Sequence, residues 1–228
     1  MKVCIITSTR ADFGLLKNLI IGLKRNEKFK TKIIASGSHL SKNFGYTYRE
    51  IEKSGIKISA RIKCKFVNDE AVGISKVMSS CIIQTSKILK KLSSDLIIIL
   101  GDRYEIFGAA ISTFINNIPI IHLHGGELTL SAQDDAFRHS ITKMSTLHFV
   151  SHEIYRKRVI QLGENPKRVF CVGPLVLDNL VKDDFYNNSV FTSKQAALLV
   201  YGAKLCRTPQ LMSFTDVETL REAGVTDT

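Results

Sequence analysis

The chain has 228 residues, 44% of them hydrophobic, and a formal net charge of +11. This length and apolar content suffice for a buried core, in one domain or in one domain and part of a second. No apolar run reaches the roughly 18 residues that span a bilayer, so the sequence predicts no membrane partner. The basic residues are scattered over predicted helix faces without interleaved aromatic residues, which argues against nucleic acid as a partner. The positive charge suits a diphosphate substrate instead.

Residues 2–8, KVCIITS, are the first predicted element. No small-residue cleavage site follows them, so we interpret the segment as a β-strand rather than as a signal peptide. The five cysteines, at positions 4, 64, 81, 171 and 206, form no C-x-x-C pair. This pattern is typical of a reduced, cytoplasmic protein in which most cysteines are small core residues.

Short β-branched runs alternate with longer amphipathic stretches along the chain. The run Leu96–Leu100 is apolar throughout, which indicates a strand buried on both faces, as in a parallel sheet. The alternation predicts an α/β fold with a doubly wound parallel sheet. The predicted strands are 2–8, 30–37, 56–62, 95–101, 118–124, 147–151 and 168–173, and the predicted helices lie near 12–25, 42–54, 70–92, 103–116, 134–146 and 152–162.

Polar clusters directly follow four of the predicted strands. Because ligands of such sheets bind beyond the carboxyl ends of the strands, we expect the functional site at these clusters. Turns and helix caps would explain single Gly, Asp or Ser residues there, but not charged and imidazole groups at all four ends. The clusters are TSTRAD (7–12), SGSHLS (36–41), GDRYE (101–105) and HLHGGE (122–127).

The first and third clusters each allow a simple structural explanation. Arg10 and the helix N-terminus beside it would suit a phosphate, but Asp12 is equally suited to cap that helix. Asp102 is likewise either a helix cap or a functional carboxylate. Arg103 and Glu105 are consistent with an exposed ion pair.

The cluster HLHGGE places His122 and His124 on the same face of the predicted strand, by the period-two alternation of side chains. Gly125 and Gly126 allow a tight turn or a close approach of the backbone. A metal site would need a further ligand, so we favour a site without metal, with a buried core histidine as the alternative for at least one of the pair. Glu127 enters the following loop.

The segment that starts at Asp134 predicts a helix with Arg138 one turn later. The two residues either pair along this helix, or Asp134 points into the cleft as a second carboxylate opposite Glu127. Two carboxylates whose pKa values differ would suit proton-transfer chemistry.

Five segments, in this order and spacing, resemble the UDP-N-acetylglucosamine 2-epimerase family in its hydrolysing branch. They are TSTRADFGLL, SGSHLSKNFG, LGDRYEIF, HLHGGE and DDAFRHSITKMSTLHF, and the resemblance covers about residues 2–182. The family acts in sialic-acid and related nonulosonate synthesis for capsules and surface glycans. The resemblance implies the N-terminal half of a GT-B fold, which encloses its substrate between two Rossmann-like domains.

The implied reaction converts UDP-GlcNAc and water into N-acetylmannosamine and UDP, without a metal or redox cofactor. The C2 proton is removed, UDP leaves by C1–O cleavage, and water adds to the resulting glycal while C2 is reprotonated on the opposite face. Relatives often dimerise, so a homo-oligomer is expected. By position, the resemblance assigns Asp102, Glu127 and Asp134 to the proton transfers, and Arg10, His39, Arg103, His122, His124 and Arg138 to binding or orienting the UDP-sugar.

The C-terminal part departs from the family pattern. Isoleucine is absent from 190–228, and these residues do not continue the strand–helix alternation. We therefore expect an epimerase domain at 1–182 and an atypical tail at 183–228, which replaces the second domain in a truncated or frameshifted product. Two hypotheses follow: an epimerase that needs the missing half, or a catalytically inactive domain that binds a ligand or partner.

Overall fold

The computed structural model describes residues 1–64, 70–129 and 132–176, together with residues 218 and 222. A seven-stranded sheet runs through these residues in the order β3-β2-β1-β4-β5-β6-β7, and every neighbouring pair is parallel. The prediction of a doubly wound parallel sheet is confirmed. The strands are β1 (Lys2–Thr7), β2 (Lys30–Ala35), β3 (Ile58–Arg61), β4 (Leu96–Leu100), β5 (Ile120–Leu123), β6 (Leu147–Val150) and β7 (Val169–Cys171).

Six α-helices connect the strands within the described residues. They are α1 (Arg10–Arg25), α2 (Tyr48–Lys53), α3 (Ala71–Leu92), α4 (Tyr104–Ile115), α5 (Ala132–Met144) and α6 (Glu153–Gln161). None of these helices is both long enough and apolar enough to cross a membrane. At the start of α1, the Thr9 hydroxyl accepts from the Asp12 amide while the Asp12 carboxylate accepts from the Thr9 amide, so the interpretation of Asp12 as a helix cap is confirmed.

The two faces of the sheet belong to separate apolar cores, because side chains alternate along each strand. In β4, Ile98 and Leu100 pack into the core that includes residues of α1 and α2. Ile97 and Ile99 point the other way, into the core that includes residues of α3, α4 and α5. Helices on both faces therefore explain why the central strands are apolar at every position.

The predicted helix at 42–54 is wrong over its first half. Only Tyr48–Lys53 is α-helical, and two short 3₁₀ turns at 37–40 and 42–44 precede it. Gly45 has φ 73° and Tyr46 has φ 51°, values of the left-handed region that a right-handed helix cannot contain. The two residues therefore end the second 3₁₀ turn and delay α2.

The expectation that most of the cysteines are reduced core residues is wrong for one pair. Cys64, just after β3, forms a disulfide with Cys81 of α3, and their Cα atoms lie 6.0 Å apart. Cys4 is a free, buried thiol whose pKa is raised by burial to about 11. Cys171 is free and exposed, and Cys206 lies outside the described residues.

Candidate functional site

The carboxyl ends of β4, β5 and β6 lie side by side, because these strands are parallel neighbours. Asp102 follows β4, the loop with His124 and Glu127 follows β5, and Ser151 follows β6. α5 contributes a buried arginine from the same edge, Arg138. The sheet topology thus brings together residues from three of its strand ends.

Asp102 belongs to a group of side chains around the buried guanidinium of Arg138. We call this group the Asp102 cluster, and its members are Asp102, Thr129, Asp135 and Arg138. Nη2 of Arg138 donates to Oδ2 of Asp102 and, over 2.8 Å, to the hydroxyl oxygen of Thr129. Nη1 of Arg138 donates to Asp135 over 3.2 Å. The Arg138 side chain is only 7% exposed, so its charge depends on these carboxylates for compensation.

The sequence left open whether Arg138 pairs with Asp134 along the helix. The partner on α5 is instead Asp135, three residues earlier. Asp134 lies in the first turn of α5 and is half-buried. Its assignment as a second cleft carboxylate stays a prediction.

Glu127 belongs to a second group, which we call the Glu127 cluster: His124, Glu127 and Ser151. The Ser151 hydroxyl donates to Oε1 of Glu127 over 2.6 Å, and Nδ1 of His124 lies 3.2 Å from the same oxygen. Burial by itself would raise the pKa of the Glu127 carboxyl. The hydrogen bonds from His124 and Ser151, together with the electrostatic interaction with the nearby histidines, outweigh burial and hold this pKa below its ordinary value.

The loop that carries Glu127 has an unusual backbone. His124 has φ 62° and Gly126 has φ 77°, and a Cβ at position 126 would lie 2.5 Å from the carbonyl oxygen of Tyr155. Arg158 of α6 donates to the carbonyl oxygen of Gly126. The close backbone approach predicted for the glycine pair is thus present at Gly126, where α6 packs directly against the loop.

His122 is fully buried beneath this loop. Nε2 donates to the carbonyl oxygen of Gly101 over 2.9 Å, so Nδ1 accepts from the Thr142 hydroxyl over 3.1 Å. Burial lowers the His122 pKa to about 3, which keeps the ring neutral. The buried-histidine alternative therefore describes His122, which supports the backbone next to Asp102. β5 ends at Leu123, so His124 lies beyond the strand and does not follow its alternation.

The residues predicted at the first two strand ends have other contacts. The side chain of Arg10 is 74% exposed and forms an ion pair with Glu50 over 3.0 Å. His39 is fully buried, with Nε2 3.0 Å from the Thr7 hydroxyl and Nδ1 2.8 Å from the Thr47 hydroxyl. Burial lowers the His39 pKa to about 4. Their assignment as substrate contacts stays a prediction.

A cavity of about 270 Å³ lies at the ends of β2 and β4. Its lining includes Arg103, Glu105, Gly37 and Cys64. Arg103 donates to both carboxylate oxygens of Glu105, over 3.2 and 3.3 Å. The expected exposed pair is wrong in one respect, because the side chain of Glu105 is only 4% exposed while that of Arg103 is 43% exposed.

Neither the place of Ser151 in the site nor the burial of Glu105 is predicted by the sequence motifs. Ser151 directly follows β6, so the rule that polar residues after parallel strands form the site would have included it. Oε1 of Glu105 lies so close to Gly37 that a Cβ there would be 3.0 Å from it, a proximity that only the assembled sheet creates. In the described part of the chain, no three His, Cys, Asp or Glu side chains are grouped to hold a metal ion.

The family described as UDP-N-acetylglucosamine 2-epimerase matches residues 22–202 of this sequence. The chain belongs to this family. One curated relative, named GDP/UDP-N,N'-diacetylbacillosamine 2-epimerase (hydrolyzing), from Campylobacter jejuni, is 47% identical over 82% of this chain and 48% of its own length. Another, polysialic acid biosynthesis protein P7 from Escherichia coli, is 36% identical over 87% of this chain and 51% of its own length. The chain spans about half the length of these relatives.

A solved structure of a similar fold is UDP-GlcNAc 2-epimerase from Neisseria meningitidis, bound to UDP-GlcNAc. It superposes with a TM-score of 0.70 at 18% sequence identity, over 98% of this chain and 54% of that one. The predicted fold, the N-terminal half of a GT-B protein, is confirmed.

Proposed function

We propose that this chain forms one wall of the site of a hydrolysing 2-epimerase, which converts a UDP-linked 2-acetamido sugar and water into the free C2 epimer and UDP. For UDP-GlcNAc the product is N-acetylmannosamine. One observation carries the proposal: two partly exposed carboxylates, Asp102 and Glu127, stand at adjacent strand ends, each held by its own donors. Membership of the family links this geometry to the epimerase reaction.

The proposed reaction is an elimination followed by a hydration. A carboxylate removes the C2 proton and UDP leaves with the C1–O bond, and then water adds at C1 while a proton returns to the other face of C2. Asp102, Glu127 and Asp134 are the groups proposed for these proton transfers. The lowered pKa keeps Glu127 ionised at neutral pH, as a proton acceptor must be.

The binding residues of the proposal surround these carboxylates. Arg138 orients Asp102, while His122 supports the backbone before it through Gly101. The proposal keeps Arg10, His39, Arg103 and His124 as residues that contact or orient the UDP-sugar. The epimerase domain is proposed at 1–182 with the tail at 183–228, and cytoplasmic location and dimerisation remain predictions of the sequence.

A second sugar is a candidate substrate. The relative that is 47% identical is named for N,N'-diacetylbacillosamine, a 2,4-diacetamido sugar. Both candidate sugars carry the acetamido group at C2 where the proposed chemistry occurs. Parallel assays with the two UDP-sugars identify the substrate by the larger kcat/KM.

The test is to incubate the purified chain with each UDP-sugar in D2O and follow the reaction by NMR. We expect release of UDP and a free epimer that carries deuterium at C2. Glu127→Gln should abolish this signal, whereas Glu52→Gln, a matched change in the exposed ion pair with Arg61, should leave it unchanged. Equal turnover in wild type and Glu127→Gln would contradict the proposed role of Glu127.

The alternative is a domain that binds the UDP-sugar without catalytic activity. The chain spans about half the length of these relatives, and the described residues supply the carboxylates of one wall of the proposed cleft. Excluding water and positioning the substrate from both sides contribute much of an enzyme's rate enhancement. Absence of turnover in a folded chain, with the UDP-sugar still bound, would support this alternative.

A further inference from the structure

Ser151 is in direct contact with Glu127, although nothing in the sequence motifs marks it. Its hydroxyl lies 2.6 Å from Oε1 of Glu127, while Nδ1 of His124 lies 3.2 Å from that same oxygen. An ionised carboxylate only accepts hydrogen bonds, so the hydroxyl must be the donor. A separation this short is typical of a charge-assisted O–H···O⁻ bond.

One strand fixes both donors. Ser151 follows β6 directly, and the backbone amide of His124 donates to the carbonyl oxygen of Phe149 in β6 over 2.9 Å. The carbonyl oxygen of Val150 accepts from Val172 over 3.0 Å, which ties the end of β6 to the segment after β7. Ser151 is thus tied to β6 through the chain and His124 through a backbone hydrogen bond, so both donors have a fixed position relative to Glu127.

We propose that Ser151 is a positioning residue for Glu127: with His124 it holds Oε1 in place, so that Oε2 is the oxygen presented to the substrate. This role rests on the proposed function of Glu127. With Oε1 held by two donors, the carboxylate cannot rotate freely about its Cγ–Cδ bond. The Glu127 side chain is 27% exposed, so the carboxylate that Ser151 and His124 hold is not sealed from solvent.

The same three residue types form the triad of serine hydrolases, but their order here is different. A nucleophilic serine donates to an imidazole, which in turn is oriented by a carboxylate. Here the carboxylate of Glu127 lies in the middle and receives both hydrogen bonds. The Ser151 hydroxyl donates to the carboxylate and not to an imidazole, so the geometry assigns Ser151 to holding Glu127 rather than to nucleophilic attack.

The test measures the pKa of Glu127 in the full chain by ¹³C NMR of labelled glutamate carboxyls, with the resonance assigned by its loss in Glu127→Gln. Ser151→Ala removes one donor to the charged form, so the pKa of Glu127 should rise by about one unit. Ser151→Thr keeps the hydroxyl and should keep the wild-type pKa. Ser75→Ala removes an exposed hydroxyl on α3 that bonds to Ala71, and it serves as the matched control.

A Glu127 pKa that is the same in folded Ser151→Ala as in wild type would overturn the proposal. If Ser151→Ala does not fold, Ser151→Cys replaces it, because a thiol is a much weaker donor and should raise the pKa as well. The titration requires no turnover. A wild-type chain without turnover, but with the expected pKa changes, would therefore count against the proposed function and not against the hydrogen bond from Ser151.

Where turnover is measurable, a positioning role also predicts that kcat and KM respond differently to the loss of the hydroxyl. Ser151→Ala should lower kcat with little change in KM and move the acid limb of the pH profile to higher pH, and Ser151→Thr should restore both. A loss of general stability alone would not move the acid limb.

Discussion

Asp102 and Glu127 follow adjacent strands of one sheet, yet Asp102 accepts from a buried guanidinium and Glu127 from a hydroxyl and an imidazole. An arginine stays protonated at every pH at which the protein is folded, so the Asp102 cluster contains a permanent positive charge. The Glu127 cluster has no permanent positive charge and depends on the placement of β6 and of the loop after β5. Charge therefore holds one carboxylate, and backbone geometry holds the other.

The largest expected effect comes from removing the charge of the Asp102 cluster. Arg138→Met leaves Asp102 and Asp135 without their buried counter-charge, so the free energy of unfolding should fall by about 3–5 kcal/mol in urea titrations. Arg10→Met, in an exposed ion pair with Glu50, is the control and should change it by less than about 1 kcal/mol.

The double variant Asp102→Asn/Arg138→Met sharpens this result. Because it removes both charges of the pair, it should recover part of the stability lost by Arg138→Met alone. An Arg138→Met chain as stable as the Arg10→Met control would contradict the description of the Asp102 cluster as a buried ion pair.

The next largest effect should come from the backbone of the Glu127 loop. Gly126→Ala puts a methyl group 2.5 Å from the carbonyl oxygen of Tyr155, in a left-handed conformation, and should destabilise the chain by about 2–4 kcal/mol. Gly14→Ala is the matched control, because a Cβ at this position of α1 meets no atom within 4 Å apart from its chain neighbours and the helix's own backbone, and alanine favours helix. The control should raise the thermal midpoint. A Gly126→Ala midpoint at or above that of wild type would refute the close packing of α6 on the loop.

Acidification should destabilise the chain through three buried histidines outside both clusters. Burial lowers the pKa of His122 to about 3, and of His39 and His148 to about 4. Unfolded histidines bind protons below about pH 6.5, whereas these folded ones do not until about pH 4. Stability is therefore lost as the pH falls through this window.

Between pH 7 and pH 6 the free energy of unfolding should fall by roughly 0.7 kcal/mol for each buried histidine, or about 2 kcal/mol for three. Urea titrations at half-unit steps measure the slope. His122→Gln should flatten the slope by about a third if the three contributions are equal. A free energy of unfolding that stays constant from pH 7 to pH 5 would show that these histidines are not buried as neutral rings.

The smallest effect should come from a peripheral hydrogen-bond acceptor of Arg138. Thr129→Val removes an exposed hydroxyl that accepts from Nη2 over 2.8 Å, and the expected loss of stability is about 0.5–1 kcal/mol. Thr142→Val is the matching change at a buried hydroxyl, because it leaves Nδ1 of the buried His122 without its hydrogen-bond donor. We expect about 1–3 kcal/mol for that change. If urea titrations gave the same loss of stability for Thr129→Val and Thr142→Val, the expected difference between an exposed and a buried hydroxyl would be contradicted.

The fold was predictable from sequence because its signals are local. Continuous apolar runs such as Leu96–Leu100 identify strands with helices on both faces, and every predicted strand contains an observed one. The failure at 42–54 arose where Gly45 and Tyr46 adopt left-handed conformations within an otherwise helical pattern. The positions of the strand-end clusters follow from the strands themselves, so the location of the candidate site was also predictable.

The partners within the site were not predictable, because they depend on how distant segments meet. Arg138 lies 36 residues from Asp102, and Ser151 lies 24 residues from Glu127. His39 and His122 look like ligand contacts in sequence, but in the structure threonine hydroxyls approach both rings. The disulfide between Cys64 and Cys81 likewise needs the packing of α3 beside the end of β3, which no cysteine spacing reveals.

The strand order also has a consequence for how the chain acquires this structure during synthesis. β1 pairs with β2 on one edge as soon as residues 30–35 exist, but its other edge waits for β4, about ninety residues after it in the chain. At roughly 5–20 residues per second, a ribosome needs on the order of 5–20 s to deliver β4. For that time β1 has an open edge that can pair with other chains. Asp102, which follows β4, can take up its place only after that edge has closed.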